Sequence, residues 1–207
     1  MSEAGNLYAS LLLIDPAPAA AISTLPLVAA VAVHRAIERV LPPDGSGALT
    51  IKWPNDILLD GAKCCGILLE SEILADGRRA VVIGCGVNVV HAPAPGLYPT
   101  VALNRAGAGT DPRVLFAHLF QTMAEELGHW NGGEGLNLTI AAWLNRAQGI
   151  GQAITVQLPD RIHIGRFCGL DQGGRLLLKQ DDATTLTISA GDVFFDAAAS
   201  TSSHTAG

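Results

Sequence analysis

Charge is scarce in this chain of 207 residues. Asp, Glu, Lys and Arg together make up 15%, and 13 basic residues face 19 acidic ones, a net charge of -6 with a pI near 5.4. A general nucleic-acid binder carries a basic excess, so the balance argues against that class and against a DNA-binding role. ATP remains a possible ligand if a few lysines or backbone amides gather at one place. Cysteine is also sparse. Cys64, Cys65, Cys85 and Cys168 form no Cys-x-x-Cys pair, which excludes a zinc pattern and a disulfide framework and fits reduced thiols in a cytoplasmic protein. His34, His91, His118, His129, His163 and His204 share no metal-ligand spacing. The apolar start, Leu11 to about His34, has no basic flank and is interrupted by Asp15, Pro16, Pro18 and Pro26, which argues against a signal peptide and a membrane span. No internal repeat is visible.

What is present is apolar material, 49% of residues, enough for a sizeable core in one ordinary domain and a small second one. Asn6–Ile14 reads as a buried strand. An Ala-rich helix is expected from Pro18 or Ser23 to Leu41, with Ser23 or Thr24 as its cap and Pro42-Pro43 as its stop. Strands follow at Leu49–Trp53, Asp56–Asp60, Lys63–Glu72 and Arg79–Val90, with hairpin turns at Asp60-Gly61 and Asp76-Gly77. His91–Gly109 is a loop rich in Pro, Ala and Gly. Asp111-Pro112 is a helix start, Asp as cap and Pro at the first position, and the helix runs to Gly128; another spans Leu136–Ala147. After Gly151 the pattern changes to five short strands, Ala153–Leu158, Ile162–Leu170, Arg175–Lys179, Thr184–Ser189 and Asp192–Phe195, the signature of a small β-barrel. Residues 197–207 are small and polar and read as a disordered tail.

Three clusters carry the chemistry. In Lys52-Trp53-Pro54-Asn55-Asp56 a strand delivers a lysine to a stiff turn that exposes an amide and a carboxylate, a charge for phosphate beside a ligand for Mg²⁺. The plainer alternative is a Pro-Asn-Asp turn with a solvated lysine. In Lys63-Cys-Cys-Gly66-Ile-Leu-Leu-Glu70 a glycine weakens a strand interior, which close approach of a ligand explains; a bulge glycine also would. In Gly84-Cys-Gly-Val-Asn88 two glycines bare the backbone, and Asn88 offers a donor and an acceptor suited to an adenine edge. No helix start follows the Gly-x-Gly, so it is not a dinucleotide fingerprint. Cys85 lies between the glycines and can equally be a small core residue, while Trp130 and Trp143 fit helix packing.

In order and spacing, Lys52-Trp-Pro-Asn-Asp56, Lys63-x-x-Gly66-Ile67-Leu68 with Glu70, and Gly84-x-Gly86-Val87-Asn88-Val89 resemble the biotin–protein ligase family. Gly5-Asn6-Leu7-Tyr8-x-Ser10 resembles the segment after that family's adenylate loop. Gly169-Leu170-Asp171, Gly174-x-Leu176 and Ile188-x-Ala190-Gly191-Asp192-Val193 resemble its C-terminal barrel. The resemblance covers about residues 4–195. It implies an α+β catalytic domain over 1–149, a mixed sheet with helices on one side as in the class II synthetase-like biotinyl and lipoyl ligase fold, then an SH3-like barrel over 150–196. It also implies two half-reactions. Biotin and MgATP give biotinyl-5′-AMP and pyrophosphate, and the amine of a lysine on a biotin carboxyl carrier protein then displaces AMP.

Carried onto this chain, Lys63 would be catalytic, contacting the biotin carboxylate and the α-phosphate. Asp56 would help place Mg²⁺, and Lys52 and Asn55 would hold phosphate. Gly66, Ile67 and Leu68 would line the biotin channel, and Gly84, Gly86 and Asn88 would lie beside adenine. Trp53, Cys85 and Val87 stand inside the same motifs and are counted with the binding residues. Homodimerisation through a sheet edge is implied by the family alone.

Two departures from the family pattern matter. The Gly-Arg-Gly-Arg-x-Gly-Arg loop and the Ser-Thr-Asn segment should precede residue 1, so Met1 is expected to be an internal methionine, and a chain without that loop should bind biotin weakly and leak its adenylate. Val90 stands where many members have a second Asn. There is no room for an N-terminal winged helix, so no repressor activity is expected. Two alternatives remain open: a ligase-like binding module without catalysis, and a lipoyl or octanoyl ligase, whose family generally lacks the Trp-Pro-Asn-Asp to Lys-x-x-Gly combination.

Overall fold

The computed structural model describes residues 4–42, 48–94, 96 and 98–195; the expected tail at 197–207 and the 44–47 loop lie outside the described residues. Two five-stranded sheets form the scaffold. The first runs in the order β1 (Leu7–Ile14), β5 (Arg79–Val87), β4 (Ala62–Ile73), β3 (Asp56–Leu59), β2 (Leu49–Lys52). Every ladder between these strands is antiparallel. The mixed character is confined to two isolated parallel bridges, Ile51 with Ala147 and Lys63 with Thr100.

Alternation of side chains across the pleat gives this sheet two unlike faces. Leu7, Val81, Ile83, Cys85, Val87 and Ile67 point into the core, where α2 (Leu25–Glu38), α3 (Pro112–Trp130) and α4 (Leu136–Leu144) pack. Their neighbours Tyr8, Ser10, Leu12, Gly84, Gly86, Gly66 and Leu68 lie on the other, open face. The stretch Ala19–Glu38 is apolar enough by composition to cross a membrane, yet 67% of its 18-residue apolar window is buried, because α2 is the central core helix.

The helical elements differ from expectation where a side chain or strand competes. The first helix is broken into α1 (Ala19–Ile22) and α2, and neither Ser23 nor Thr24 caps α2 through its side chain. The Thr24 hydroxyl is committed elsewhere: it donates to the Ala21 carbonyl at 2.6 Å and accepts from the Trp130 indole N–H at 2.9 Å. Asp111 does cap α3, accepting from the Arg113 amide at 2.7 Å. Helix α4 ends at Leu144, short of Ala147, because residues 146–148 turn to hydrogen-bond Ile51 of β2 on both its amide and its carbonyl. Strand β5 stops at Val87, short of Val90, because the amides of Val89, Val90 and His91 all donate to Asn6 Oδ1.

The second sheet, β10 (Asp192–Phe195), β6 (Ala153–Gln157), β7 (Ile162–Leu170), β8 (Leu176–Lys179), β9 (Thr185–Ile188), is antiparallel throughout and corresponds to the small barrel expected after Gly151. It is seated on the first unit. A Cβ at Gly174, whose φ is +76°, would stand 2.5 Å from Leu27 Cδ1 of α2, and the Trp53 indole N–H lies 3.5 Å from the Gly174 carbonyl.

Candidate functional site

The open face of the first sheet carries one row of residues across all five strands. Lys52 pairs with Asp56, Asp56 with Gly66, Gly66 with Gly86 and Gly86 with Tyr8. A second row runs Ser10, Gly84, Leu68. Two of the chain's three lysines, Lys52 and Lys63, meet at the charged end of the first row.

Lys63 reaches that face through a β-bulge. Counting back along β4 by twos from Ile67 and Cys65, position 63 should face the core. The register shifts opposite Ile57 and Leu58, so Lys63 pairs with Leu58 and Cys64 is the extra residue. Both Cys64 and Cys65 then point inward, and Lys63 is returned to the open face beside Gly66; bulges commonly re-aim a side chain in this way. A Cβ at Gly66 would stand 3.2 Å from Lys63 Cε and 3.3 Å from its Nζ, so the glycine makes room for the ammonium.

Asp56 holds both lysines. Its Oδ1 is 2.6 Å from Lys63 Nζ and its Oδ2 3.1 Å from Lys52 Nζ. The two ammoniums differ in access: the Lys52 side chain is 5% exposed and that of Lys63 34%. Burial lowers the pKa of Lys52, while Asp56 acts in the opposite direction. The ammonium of Lys52 also sits over the ring of Tyr98, 3.7 Å from its centroid. Burial, then Asp192 and Asp56, push the Tyr98 phenol up to about 12, so it is neutral at physiological pH. With one neutralised carboxylate between two cations, Lys63 is the ammonium left reachable by an anionic ligand.

Beside this charged end the face is a hollow of about 450 Å³ lined by Tyr8, Ala9, Ser10, Gly66, Ile67, Leu68, Gly84, Cys85 and Gly86. A Cβ at Gly84 or Gly86 would meet nothing closer than 3.7 Å. The protein itself has room for a methyl at both positions, so packing within the chain does not demand their bare backbone. A second hollow, about 280 Å³ and without a charged residue in its lining, lies on the helix side between β1 and α3, and Cys85 lines this one as well.

Of the residues singled out from the sequence, Lys52, Asp56, Lys63, Gly66, Leu68, Gly84 and Gly86 therefore come together on one face. The side chains of Ile67, Cys85 and Val87 do not: pleat parity turns them into the core, where each residue is no more than 6% exposed, although Ile67 and Cys85 still border the hollow. Burial drives the Cys85 thiol up to about 12, the behaviour of an inert core residue. The Trp53 indole, 2% exposed, is packed under the second sheet. Asn55 spends its amide on the Ile67 carbonyl at 2.6 Å, tying the turn to β4. Asn88 lies just past β5 and bonds the Lys63 carbonyl at 3.3 Å through its side chain, while its backbone amide donates to the Cys64 carbonyl. Tyr98 was not singled out: nothing in a Pro- and Ala-rich loop marks one aromatic as facing a lysine. Tyr8 and Ser10 were noticed within a segment, and the register gives them their place.

Asp56 does not fit a resident metal in this arrangement. Both its oxygens are ion-paired, and among the described residues no three His, Cys, Asp or Glu side chains converge, whereas Mg²⁺ needs near-octahedral oxygen ligands at close range.

Known proteins decide the family. Residues 1–88 match the Biotin/lipoate A/B protein ligase family, and residues 149–196 match the Biotin protein ligase C terminal domain. A biotin–[acetyl-CoA-carboxylase] ligase from Paracoccus denitrificans is 36% identical over 93% of this chain and 81% of its own length. The chain belongs to the biotin protein ligase family. The bifunctional ligase/repressor BirA of Bacillus subtilis is 32% identical over 91% of this chain, which spans 58% of that protein. Among solved structures, a biotin protein ligase from Aquifex aeolicus has the same fold, with a TM-score of 0.76 over 92% of this chain and 83% of its own at 22% identity. A Leishmania major biotin protein ligase in complex with biotinyl-5-AMP aligns with a TM-score of 0.59 at 25% identity over 90% of this chain and 79% of its own. In this chain the glycine floor and the Lys63 ammonium lie on one face of the first sheet.

Proposed function

We propose that this chain activates biotin with ATP and transfers it to a lysine of a biotin carboxyl carrier protein. The observation that carries the reading is the cross-strand row of ammonium, carboxylate and ammonium beside three bare glycines on a solvent-facing sheet. In the first step a biotin carboxylate oxygen attacks the α-phosphorus of ATP, and the bond to the bridging oxygen breaks to release pyrophosphate. Lys63 lies where negative charge accumulates on carboxylate and α-phosphate and stabilises it without reorganising, because Asp56 already fixes its position. Lys52, buried and fixed, adds positive potential behind it. In the second step the carrier amine attacks the acyl carbon, AMP leaves on its phosphate oxygen, and the amine gives up a proton.

Mg²⁺ enters this scheme as part of the MgATP substrate. Asn88 is assigned to the adenine side of the floor. Residues 1–149 are the catalytic unit and 150–196 the small barrel that closes its charged end. Dimerisation along the edge strand β1 and a cytoplasmic location belong to the same proposal, the latter supported by four free thiols. A net charge of -6 supports a scheme without a DNA-binding step.

The test is isotope exchange between pyrophosphate and ATP with biotin or lipoate as the acid. Exchange that depends on biotin, and that lipoate does not support, is expected. Exchange driven by lipoate would assign the site to the other branch of the family, and no exchange with either acid would leave a binding module.

A further inference from the structure

The Lys52 ammonium has two partners of different origin. Asp56 comes from the adjacent strand of the same sheet, and Tyr98 from the long loop between β5 and α3. Tyr98 is itself held from the other side by the C-terminal unit. Its ring stacks on Phe194 of β10 with centroids 5.2 Å apart and planes 27° apart, and its hydroxyl donates to the Val193 carbonyl at 3.2 Å. A continuous line of contacts thus runs from β10 through Phe194, Tyr98 and Lys52 to Asp56 and Lys63.

We propose that Tyr98 is a positioning residue for Lys52, and that the C-terminal barrel acts on the site by holding that ring in place. The physical case rests on what each group would do alone. Lysine has four rotatable bonds and a strongly hydrated head, so a buried lysine keeps one geometry only if its partners leave it no better one. Asp56 cannot supply that by itself, because its other oxygen is committed to Lys63. If Lys52 drifted, it would draw the shared carboxylate with it and the Lys63 ammonium would lose its fixed place beside Gly66. The face of an aromatic ring supplies a second attraction without adding a negative charge that would compete for Lys63. Phe194 and the Val193 carbonyl fix the ring from two directions, and both lie on β10, so the barrel sets where the ring sits.

The placement of Lys52 stands on geometry alone; its consequence for turnover rests on the ligase reading above. Both are tested on the full chain. Because the chain has three lysines, a protein labelled with ¹³C-lysine gives three Cε signals, and Lys52→Arg identifies the one from Lys52. Protons over a ring face are shifted upfield, so the Lys52 signal should be displaced upfield in the parent and in Tyr98→Phe. It should return to the ordinary lysine position in Tyr98→Leu and move part of the way in Phe194→Ala. In biotin-dependent exchange, Tyr98→Leu should lower kcat/KM for ATP by roughly ten- to thirtyfold, the order expected for a desolvated cation–π contact. Tyr98→Phe should stay within about twofold, and KM for biotin should hardly move. A Lys52 signal unmoved in Tyr98→Leu overturns the placement. A displaced signal with unchanged kcat/KM for ATP overturns its role in turnover, and parent-like behaviour of Phe194→Ala on both readouts overturns the part given to the barrel. Absence of exchange in the parent would defeat the ligase reading, while the spectra would still decide the placement.

Discussion

Lys63 is the residue proposed to carry the chemistry, and its neighbours give the reason. It is the more accessible of two lysines sharing one carboxylate, and Gly66 leaves it room. Lys63→Gln keeps most of the length and removes the charge; biotin-dependent exchange should fall by roughly 10²- to 10³-fold, the scale for losing one preorganised donor at a developing charge. Loss of less than about tenfold in a kinetic comparison would remove Lys63 from that role. Gly86→Ala tests the floor. The nearest atoms to its new methyl are in the Tyr8 ring at 3.8 Å, so the fold should tolerate it and the melting temperature should stay within a few degrees. KM for ATP or biotin should rise clearly, since the methyl projects where the ligand lies. Lys52, Asp56, Lys63 and the three glycines were legible in the sequence because charge and bare backbone are unusual inside apolar strands. Trp53, Ile67, Cys85 and Val87 were not separable from them, because adjacency in a motif says nothing about which side of a pleat a residue faces.

At the scale of elements, strand existence was written in the alternation and turn residues, and strand parity was not. The bulge at Cys64 is the instructive case. Without it Lys63 would share the buried face of Cys65 and Ile67, and only the pairing of Leu58 with Lys63 reveals the shift. Two adjacent buried cysteines were the available sign, since a regular strand cannot bury neighbours on one side. The break between α1 and α2 was equally hidden: the Thr24 hydroxyl there is engaged by Trp130, 106 residues away in sequence. Helix α2 carries a testable electrostatic feature. His34 is 3% exposed, its Nε2 lies 3.1 Å from the Leu49 carbonyl, and burial lowers its pKa, with the Leu49 hydrogen bond and Glu38 opposing the effect and Arg146 adding to it. In the unfolded chain this histidine takes a proton as pH falls through about 6.5, whereas in the folded protein it resists. The unfolded state then binds more protons, so stability falls on acidification through that value and levels off once the buried ring is protonated too. His34→Gln keeps a donor for Leu49 and cannot titrate. Between about pH 8 and 5 the parent's Tm should therefore drop more steeply than the variant's, and parallel curves would contradict the assignment.

Across the whole molecule, the two sheets meet beside the charged end of the open face. Gly174 closes on Leu27, Phe195 packs within 2.3 Å of where a Gly149 Cβ would lie, and Phe194 backs Tyr98. The change of pattern after Gly151 made the second unit visible in the sequence. Its seat was not visible, because Gln172-Gly173-Gly174 reads as an ordinary turn and the packing of Leu27 against it is a tertiary fact. The central claim is that one open sheet face, floored by Gly66, Gly84 and Gly86 and bounded by Lys63, receives the adenylate. The most direct measurement is a crystal structure of the chain with a non-hydrolysable biotinyl-adenylate analogue. The ligand should lie across those three glycines with its phosphate substitute within hydrogen-bonding distance of Lys63 Nζ. A ligand bound instead in the apolar hollow beneath α3, or bound across the glycines with its phosphate substitute beyond hydrogen-bonding distance of Lys63 Nζ, would contradict the account.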